Sequence, residues 1–397
     1  GVLKNEHSVL IRHVEVQPTV FRTLTFALSC VFMSAPVFAQ SGFQTEAPHA
    51  VIIDAATGEV LFEKDARQPM APASMTKIMT VDLVFAALKD GSLSPETEFT
   101  VSEDAWRRGG VKSGSSTMFL KVGSKARVMD LLTGVIVQSG NDACIVLAEG
   151  MAGSEDAFAV RMTNRARDLG LNTATFRNAT GWPHPEHEIS ALDLARLAQK
   201  QIETFPEYYK LYSIRNFTWN DIKQSNRNPL LGRVTGADGM KTGSTEASGY
   251  GLVGSAIRGD DRRIVVVNGL GSQGERRDAA TRLMEAAFSQ FRVYDLFAKG
   301  DALGEVEVYM GKAPTVSVAI NENIRKGMPI ADRNQATSEI VYTTPVAPIS
   351  KGDVVGQLKV SIPGRPPENF DLVATADVKR KGVFARAWTG LLAKIRG

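Results

Sequence analysis

Ser74 and Lys77 stand three residues apart in Ala71-Pro-Ala-Ser-Met-Thr-Lys77. On a helix that spacing puts both on one face, so the amine can reach the hydroxyl. A serine hydroxyl is a weak nucleophile until a base takes its proton. A lysine becomes that base when burial and a second cation hold it partly neutral. Farther on come Ser139-Gly-Asn141 and Lys241-Thr-Gly243. Ser139 can relay a proton to a departing amine, and Asn141 can both donate to and accept from a peptide backbone. Lys241 supplies the second cation and attracts a carboxylate. Gly243 lets a peptide-like substrate approach a strand edge closely. Each cluster alone is weak, since a Ser–Lys pair recurs by chance on solvated helices and a Ser-Gly-Asn turn is ordinarily structural. The ordered set is what acyl transfer through a serine ester requires.

The surrounding pattern says which elements must position these groups. Val51–Asp54 and Val60–Phe62 flank Ala55-Ala-Thr-Gly58, a strand–turn–strand signal. Pro72 precedes a helical stretch to about Leu88, closed by Asp90-Gly91. Its apolar residues (Met75, Ile78, Met79, Leu83, Val84) cover so much of the surface that the helix should be buried. Residues 129–151 read as two helices with Ser139-Gly140 between them, Gly140 allowing the sharp turn. Residues 174–189 are loop-like and carry His184 and His187. Ser190-Ala-Leu-Asp193 opens another helix as a capping box with Asp in place of Glu. Tyr250–Ala256 and Arg263–Val267 form a hairpin about Arg258-Gly-Asp-Asp261, and Thr281–Phe291 is helical. Strands, then helices, then strands predict an α/β (α+β) fold whose sheet joins both ends of the domain under a cover of helices. Beyond Gly300, alternating runs at 306–308, 315–320, 339–342 and 354–362 predict a small all-β sandwich.

Serine, lysine, serine, asparagine and then Lys-Thr-Gly, in this order, resembles the signature of penicillin-binding proteins and serine β-lactamases. Ala71–Lys77, Ser139-Gly-Asn-Asp-Ala-Cys144 and Asp238-Gly-Met-Lys-Thr-Gly243 resemble one branch more closely, the low-molecular-mass D-alanyl-D-alanine carboxypeptidases of peptidase family S11. The resemblance implies a transpeptidase-like domain with an antiparallel sheet, a β domain and an amphipathic C-terminal anchor. It implies that Ser74 attacks the carbonyl of a penultimate D-Ala, that Lys77 is the general base and that Ser139 relays the proton to the departing D-Ala. Asn141, Lys241, Thr242, Gly243, Ser244 and Arg276 bind substrate on this reading. The backbone N–H groups of Ser74 and Ser244 form the oxyanion hole, and Lys241, Thr242 and Arg276 hold the terminal carboxylate. Peptidoglycan stem peptides and β-lactams are the implied partners, with no metal and no cofactor. Many relatives carry His where this chain has Ser244. That exchange leaves a backbone N–H intact and is expected to alter rate, not reaction class.

Rival readings use the same parts. A class A β-lactamase wants Ser-Asp-Asn where Gly140 stands and a deacylating Glu before the third cluster; Glu186 and Glu188 lie there in no matching context. A DD-endopeptidase needs nothing different. A catalytically quiet peptidoglycan-binding module would not need Ser74, Lys77, Ser139 and Lys241 intact. His184 and His187 lack Cys or acidic partners at metal-ligand spacing and read as solvated or packed.

The 397 residues suffice for two domains, and 43% apolar with 22% charged content is ordinary for a globular chain. A net charge of +3 gives no case for nucleic-acid binding. The sequence opens on Gly1, and the apolar run at residues 23–39 after Arg12 and Arg22, ending Val37-Phe-Ala39, reads as a secretory signal with a mature start near Gln40. Cys30 lies within that run, and the leucine before it is misplaced for a lipoprotein signal. Cys144 then remains alone and reads as a small buried residue. After Asp377 there is no acid. Phe384, Trp388, Leu391, Leu392 and Ile395 share a helical face among Lys379, Arg380, Lys381, Arg386, Lys394 and Arg396, which suits an anionic membrane surface. The expected organisation is an N-terminal extension and signal at 1–39, the catalytic domain at 40–300, the β domain at 301–377 and an anchoring helix at 378–397, placed at the periplasmic face of the inner membrane.

Overall fold

The computed structural model describes residues 10–15 (backbone only) and 42–382. The signal run at 23–39 and most of the expected anchoring helix, residues 383–397, lie outside the described residues. Two compact units emerge among the described residues, Gln44–Phe291 and a second built from residues 292–382 together with residues 10–15. The first unit holds all three clusters. The sequence placed the change of texture near Gly300; the strand Phe291–Phe297, which pairs with Ile324–Pro329, moves it earlier.

In chain order the first unit begins with β1 (His49–Asp54) and β2 (Val60–Lys64). A 3-10 turn, Ala73–Thr76, leads into α1 (Lys77–Lys89). The helices α2 (Glu103–Gly109), α3 (Val128–Val137), α4 (Asn141–Ala152), α5 (Glu155–Asp168) and α6 (Ala191–Thr204) follow. The chain then returns to the sheet as β3 (Ala237–Thr245), β4 (Gly249–Arg258) and β5 (Asp261–Leu270), and closes with α7 (Gln273–Ser289). The sheet order is β3-β4-β5-β1-β2, antiparallel throughout. Both ends of the domain therefore build one sheet, as the alternation of strands and helices predicted.

Strand residues alternate between two cores. Val51, Ile53, Ile264 and Val266 join the large core with α1, α3, α4 and α6, while the equally buried Ala50, Ile52, Val265 and Val267 face the other way. α7 packs on β5 and β4 and buries Ala279, Ala280, Leu283, Met284 and Ala287. In α1 nearly every residue is buried, so its apolar surface runs all round, the pattern of an interior helix. Ser190 caps α6 as its sequence implied, its Oγ accepting from Asp193 N–H at 3.1 Å.

The second unit contains a six-stranded sheet and the two-stranded pair noted above. Leu296, Ile324 and Met328 from the pair share a core with Val306, Val318, Ile340, Leu358 and Leu372 from the sheet. That is the packing of a sandwich. Two features differ from the sequence reading. Val378 and Arg380 bridge Ile349 and Gly311, so the β domain runs past residue 377 and these residues are extended, not helical. Leu10–Glu15, assigned no element from sequence, pairs in parallel with Thr337–Tyr342. Among the described residues no helix is long and apolar enough to cross a membrane.

Arg263 on β5 and Asp54 on β1 form a buried ion pair across the catalytic sheet, and Asp54 Oδ1 also accepts from Thr57 N–H at 2.9 Å and Thr57 Oγ1 at 2.7 Å. Removing one partner leaves a charge buried without compensation. Asp54→Ala is therefore expected to destabilise the domain by about 3 kcal/mol, read as a lower denaturation midpoint. An unchanged midpoint would remove this pair from the account of the sheet.

Candidate active site

Ser74 lies on the 3-10 turn and Lys77 is the first residue of α1. Ala73, just before the nucleophile, has φ +48°, a conformation L-residues rarely adopt. It sharpens the turn and leaves Ser74 partly exposed while Met75, Thr76 and Lys77 are buried. Lys77 Nζ donates to Ser74 Oγ at 2.9 Å, to Asn141 Oδ1 at 2.7 Å and to the carbonyl of Thr180 at 2.7 Å. As an ammonium, Lys77 satisfies all three oxygens. As a neutral amine it has two N–H bonds and a lone pair. The amide and carbonyl oxygens carry no proton to offer, so they hold the N–H bonds and the lone pair faces Ser74 O–H.

Burial drives Lys77 toward that neutral state. Its side chain is fully buried, and its pKa falls from 10.5 to about 8, with desolvation the leading cause. Arg227 lowers it further, while Cys144 and Asp142 on α4 and Glu155 on α5 oppose the shift. Lys241 is 2% exposed and donates to the Thr242 carbonyl at 3.0 Å. Burial first, and then repulsion from Lys77 and Arg227, hold Lys241 well below its ordinary range. Lys77 thus disfavours charge on Lys241, while the cation that lowers Lys77 is Arg227, where the sequence reading gave that role to Lys241.

The second cluster lies between α3 and α4, where two helices were expected to part. The positive φ falls at Ser139 (+57°), not at Gly140, whose φ is −59°. Gly140 sits in close quarters: a Cβ there would lie 3.1 Å from the Met118 backbone and side chain, a tight contact that Met118 would have to ease. Ser139 is 2% exposed. Asn141 was read as a substrate ligand, yet its Oδ1 is engaged by Lys77 and its Nδ2 donates to Ser115 Oγ at 2.9 Å. In this arrangement it orients the base.

The third cluster lies on β3, at the edge of the sheet. A Cβ on Gly243 would come within 2.9 Å of the Ser74 and Met75 backbone nitrogens, so only glycine lets β3 press against the nucleophile turn. Ser244 follows, exposed, and pairs with Tyr250 in register. The Arg276 guanidinium lies 5.6 Å from the Tyr250 ring centroid, in the first turn of α7. Arg276 is 7% exposed and its buried Nε has no partner among the described residues. A groove of about 800 Å³, lined among others by Ala71, Ser244, Thr245, Tyr250 and Asn268, opens beside these residues.

Sequence reasoning missed four contributors. Thr180 supplies the carbonyl on Lys77 from a loop noted only for its histidines and glutamates. Gly181 follows it with φ +90°, and a Cβ there would lie 1.9 Å from the Ala73 carbonyl oxygen. Asp142 is fully buried and accepts from Met118 N–H at 2.8 Å, Leu120 N–H at 3.0 Å and Thr117 Oγ1 at 2.8 Å, tying segment 117–120 to α4. Arg227 donates to Ser116 Oγ and acts on Lys77, Lys241 and Arg276 at once. Its only sequence signal was a loop position between two asparagines. Cys144 is buried, and its thiol is pushed up to about 12, so it stays protonated. Glu186 is exposed and pairs with Arg177 at 3.2 Å.

Comparison with known proteins adds an independent line. The peptidase S11 family profile, D-alanyl-D-alanine carboxypeptidase, matches residues 35–271. The chain belongs to the S11 family of D-alanyl-D-alanine carboxypeptidases. A second profile, the C-terminal domain of penicillin-binding protein 5, matches residues 291–380. The chain is 35% identical to D-alanyl-D-alanine carboxypeptidase DacC of Escherichia coli, over 95% of this chain and 96% of the relative. It is 34% identical to DacF of Bacillus subtilis, over 91% and 94%. Among solved structures, DacD of Francisella tularensis matches with a TM-score of 0.75 at 31% identity, over 88% of this chain and 97% of that one. The ampicillin-bound penicillin-binding protein D2 of Listeria monocytogenes matches with a TM-score of 0.54 at 30% identity, over 63% and 100%. The S11 profile spans the residues of all three clusters, so the family and the fold expected from sequence both stand.

Thr180 reaches Lys77 only because Gly181 clears the nucleophile turn. Gly181→Ala is expected to slow covalent labelling by a fluorescent penicillin at least ~100-fold, the scale of a 1 Å misplacement. Normal labelling would mean the loop need not touch that turn.

Proposed function

We propose that this S11 chain is a serine-type carboxypeptidase that removes the terminal D-Ala from peptidoglycan stem peptides through an acyl-enzyme on Ser74. The observation that carries the reading is the Lys77 amine, buried among Ser74 Oγ, Asn141 Oδ1 and the Thr180 carbonyl. Lys77 takes the Ser74 proton as Oγ attacks the penultimate D-Ala carbonyl. The backbone N–H groups of Ser74 and Ser244, on elements that Gly243 brings into contact, receive the developing oxyanion. As the amide bond breaks, the proton that Lys77 took passes through Ser139 to the leaving D-Ala nitrogen, which returns Lys77 to the neutral amine. Water, deprotonated by Lys77, then cleaves the ester. Lys241, Thr242 and Arg276 hold the free carboxylate, and the unpaired Arg276 Nε supports that assignment. A β-lactam presents a comparable carbonyl and carboxylate and acylates the same serine.

Magnitude favours Lys77 as base. With a pKa near 8, the neutral fraction at pH 7 is about one tenth, roughly 300-fold more than for a lysine in water. The sign follows: the base is active when neutral, so acylation rises with pH. Second-order labelling by a fluorescent penicillin is expected to show an acid limb centred near pH 8. A flat profile between pH 6 and 9 would contradict this role. Ser74→Ala should abolish both labelling and D-Ala release from a peptide ending in D-Ala-D-Ala; retention of either removes Ser74 as nucleophile. Ser244→His is expected to change the rate and not the reaction.

We also propose that the enzyme works at the periplasmic face of the inner membrane, secreted by the run at 23–39 and held by the basic amphipathic stretch after residue 382. Truncation after Gly382, which spares the bridges of Val378 and Arg380, should move the protein from the membrane to the soluble fraction. Persistent membrane association would place the anchor at the N-terminus.

A further inference from the structure

His187 is a buried group that this chemistry leaves unused. It is 3% exposed and ends the loop that carries Thr180. Its Nδ1 lies 3.0 Å from the Arg177 backbone nitrogen and accepts that N–H, so the neutral ring carries its proton on Nε2. Nε2 in turn donates to Thr76 Oγ1 at 2.8 Å. Thr76 is fully buried and sits on the nucleophile turn between Ser74 and Lys77. The Phe176 ring meets the imidazole edge-on, with centroids 5.5 Å apart. One side chain thus ties together two of the three segments that deliver oxygens to Lys77, the turn with Ser74 and the loop with Thr180.

We propose that His187 is a positioning residue for acyl transfer: a neutral, single-tautomer bridge that keeps the nucleophile turn and the Thr180 carbonyl in register, so that the Lys77 lone pair stays on Ser74. This rests on the reading of Lys77 as base. Charge on the ring is opposed from every side, by burial first, then by His184 and Arg177 on its own loop and Lys77 on α1, which together push it down to about 4. A second proton would also have to displace the Arg177 N–H from Nδ1. The bridge therefore stays intact across the pH range in which Lys77 titrates.

The test uses the purified full chain with His187→Ala, His187→Gln and Thr76→Val. Second-order acylation by a fluorescent penicillin is measured from pH 6 to 10. Rates are normalised to competent sites counted by saturating label, and melting temperatures are recorded alongside. The acid limb reports Lys77, which Cys144 and Asp142 on α4, Glu155 on α5, Arg227 and Lys241 on β3 all face. Per competent site, His187→Ala is expected to lose at least ~10-fold in rate. Its acid limb should move up from about 8 toward the ordinary lysine range as water reaches the amine. Glutamine, which can still donate to Thr76 Oγ1, should recover most of the rate and the original limb. Thr76→Val should reproduce the alanine effect and add nothing to it in the double variant. If His187→Ala does not fold, Thr76→Val alone carries the same comparison. An unchanged rate per competent site with an unmoved limb, even at a lower melting temperature, overturns the proposal and leaves His187 a packing residue. A wild-type chain that takes no label overturns the reading of Ser74 and Lys77, and this inference with it.

Discussion

A buried amine with three oxygen neighbours is the constraint on which the rest of this structure depends. Placing Lys77 in the interior costs free energy as long as it is charged. Much of the surrounding architecture decides how that cost is met. The oxygens of Ser74, Asn141 and Thr180 come from three separate stretches of chain, and each must be held to within a few tenths of an ångström. Two of them can only accept, so the third becomes the site from which a proton leaves. The same burial that lowers the amine's basicity aims its lone pair.

Holding three stretches around one nitrogen requires backbone contacts that side chains would prevent. Gly243 admits β3 to the Ser74 backbone, and Gly181 admits the Thr180 loop to Ala73 from another direction. Between them the nucleophile turn is gripped on two sides, which sustains the left-handed Ala73. The helical core supports this from beneath. α1 is buried nearly all round, and Asp142 fastens segment 117–120 to α4, the helix that presents Asn141. Lys241, Arg227 and Arg276 bring cationic groups together near Lys77, each lowered first by burial. A substrate ending in a carboxylate would relieve that concentration. This is how one arrangement can both depress a base and select its substrate.

Local chemistry was legible in the sequence; convergence was not. Ser74 and Lys77 could be paired from helical spacing alone, and the break between α3 and α4 was visible in the interrupted apolar run. The capping of α6 by Ser190 followed from four residues. The family resemblance named the D-alanyl-D-alanine carboxypeptidases, and the S11 profile and the relatives then matched that family. What stayed hidden were groups that act through the backbone or through distance. Thr180 contributes a carbonyl, which every residue possesses, so its side chain gave no signal. Arg227 lies 150 residues from Lys77 in sequence and is recognisable only once folding brings the cations together. Gly140 was expected to allow the sharp turn, yet the left-handed φ falls on Ser139, and Gly140 instead lies close against Met118. The boundary of the β domain shifted at both ends because bridges at Val378 and Arg380 and the strand from Phe291 follow tertiary pairing, not composition.

The central claim is a protonation state, and it can be observed directly. Reductive ¹³C-methylation would alter the amine, so lysine labelled at Cε by biosynthesis is preferable. Its resonances would be followed by NMR from pH 6 to 11, with Lys77 assigned by its loss in Lys77→Arg. The account requires the Lys77 signal to titrate near pH 8, well below the exposed lysines, with perturbation on acylation of Ser74. A Lys77 signal that titrates with the exposed lysines, above pH 10, would contradict it.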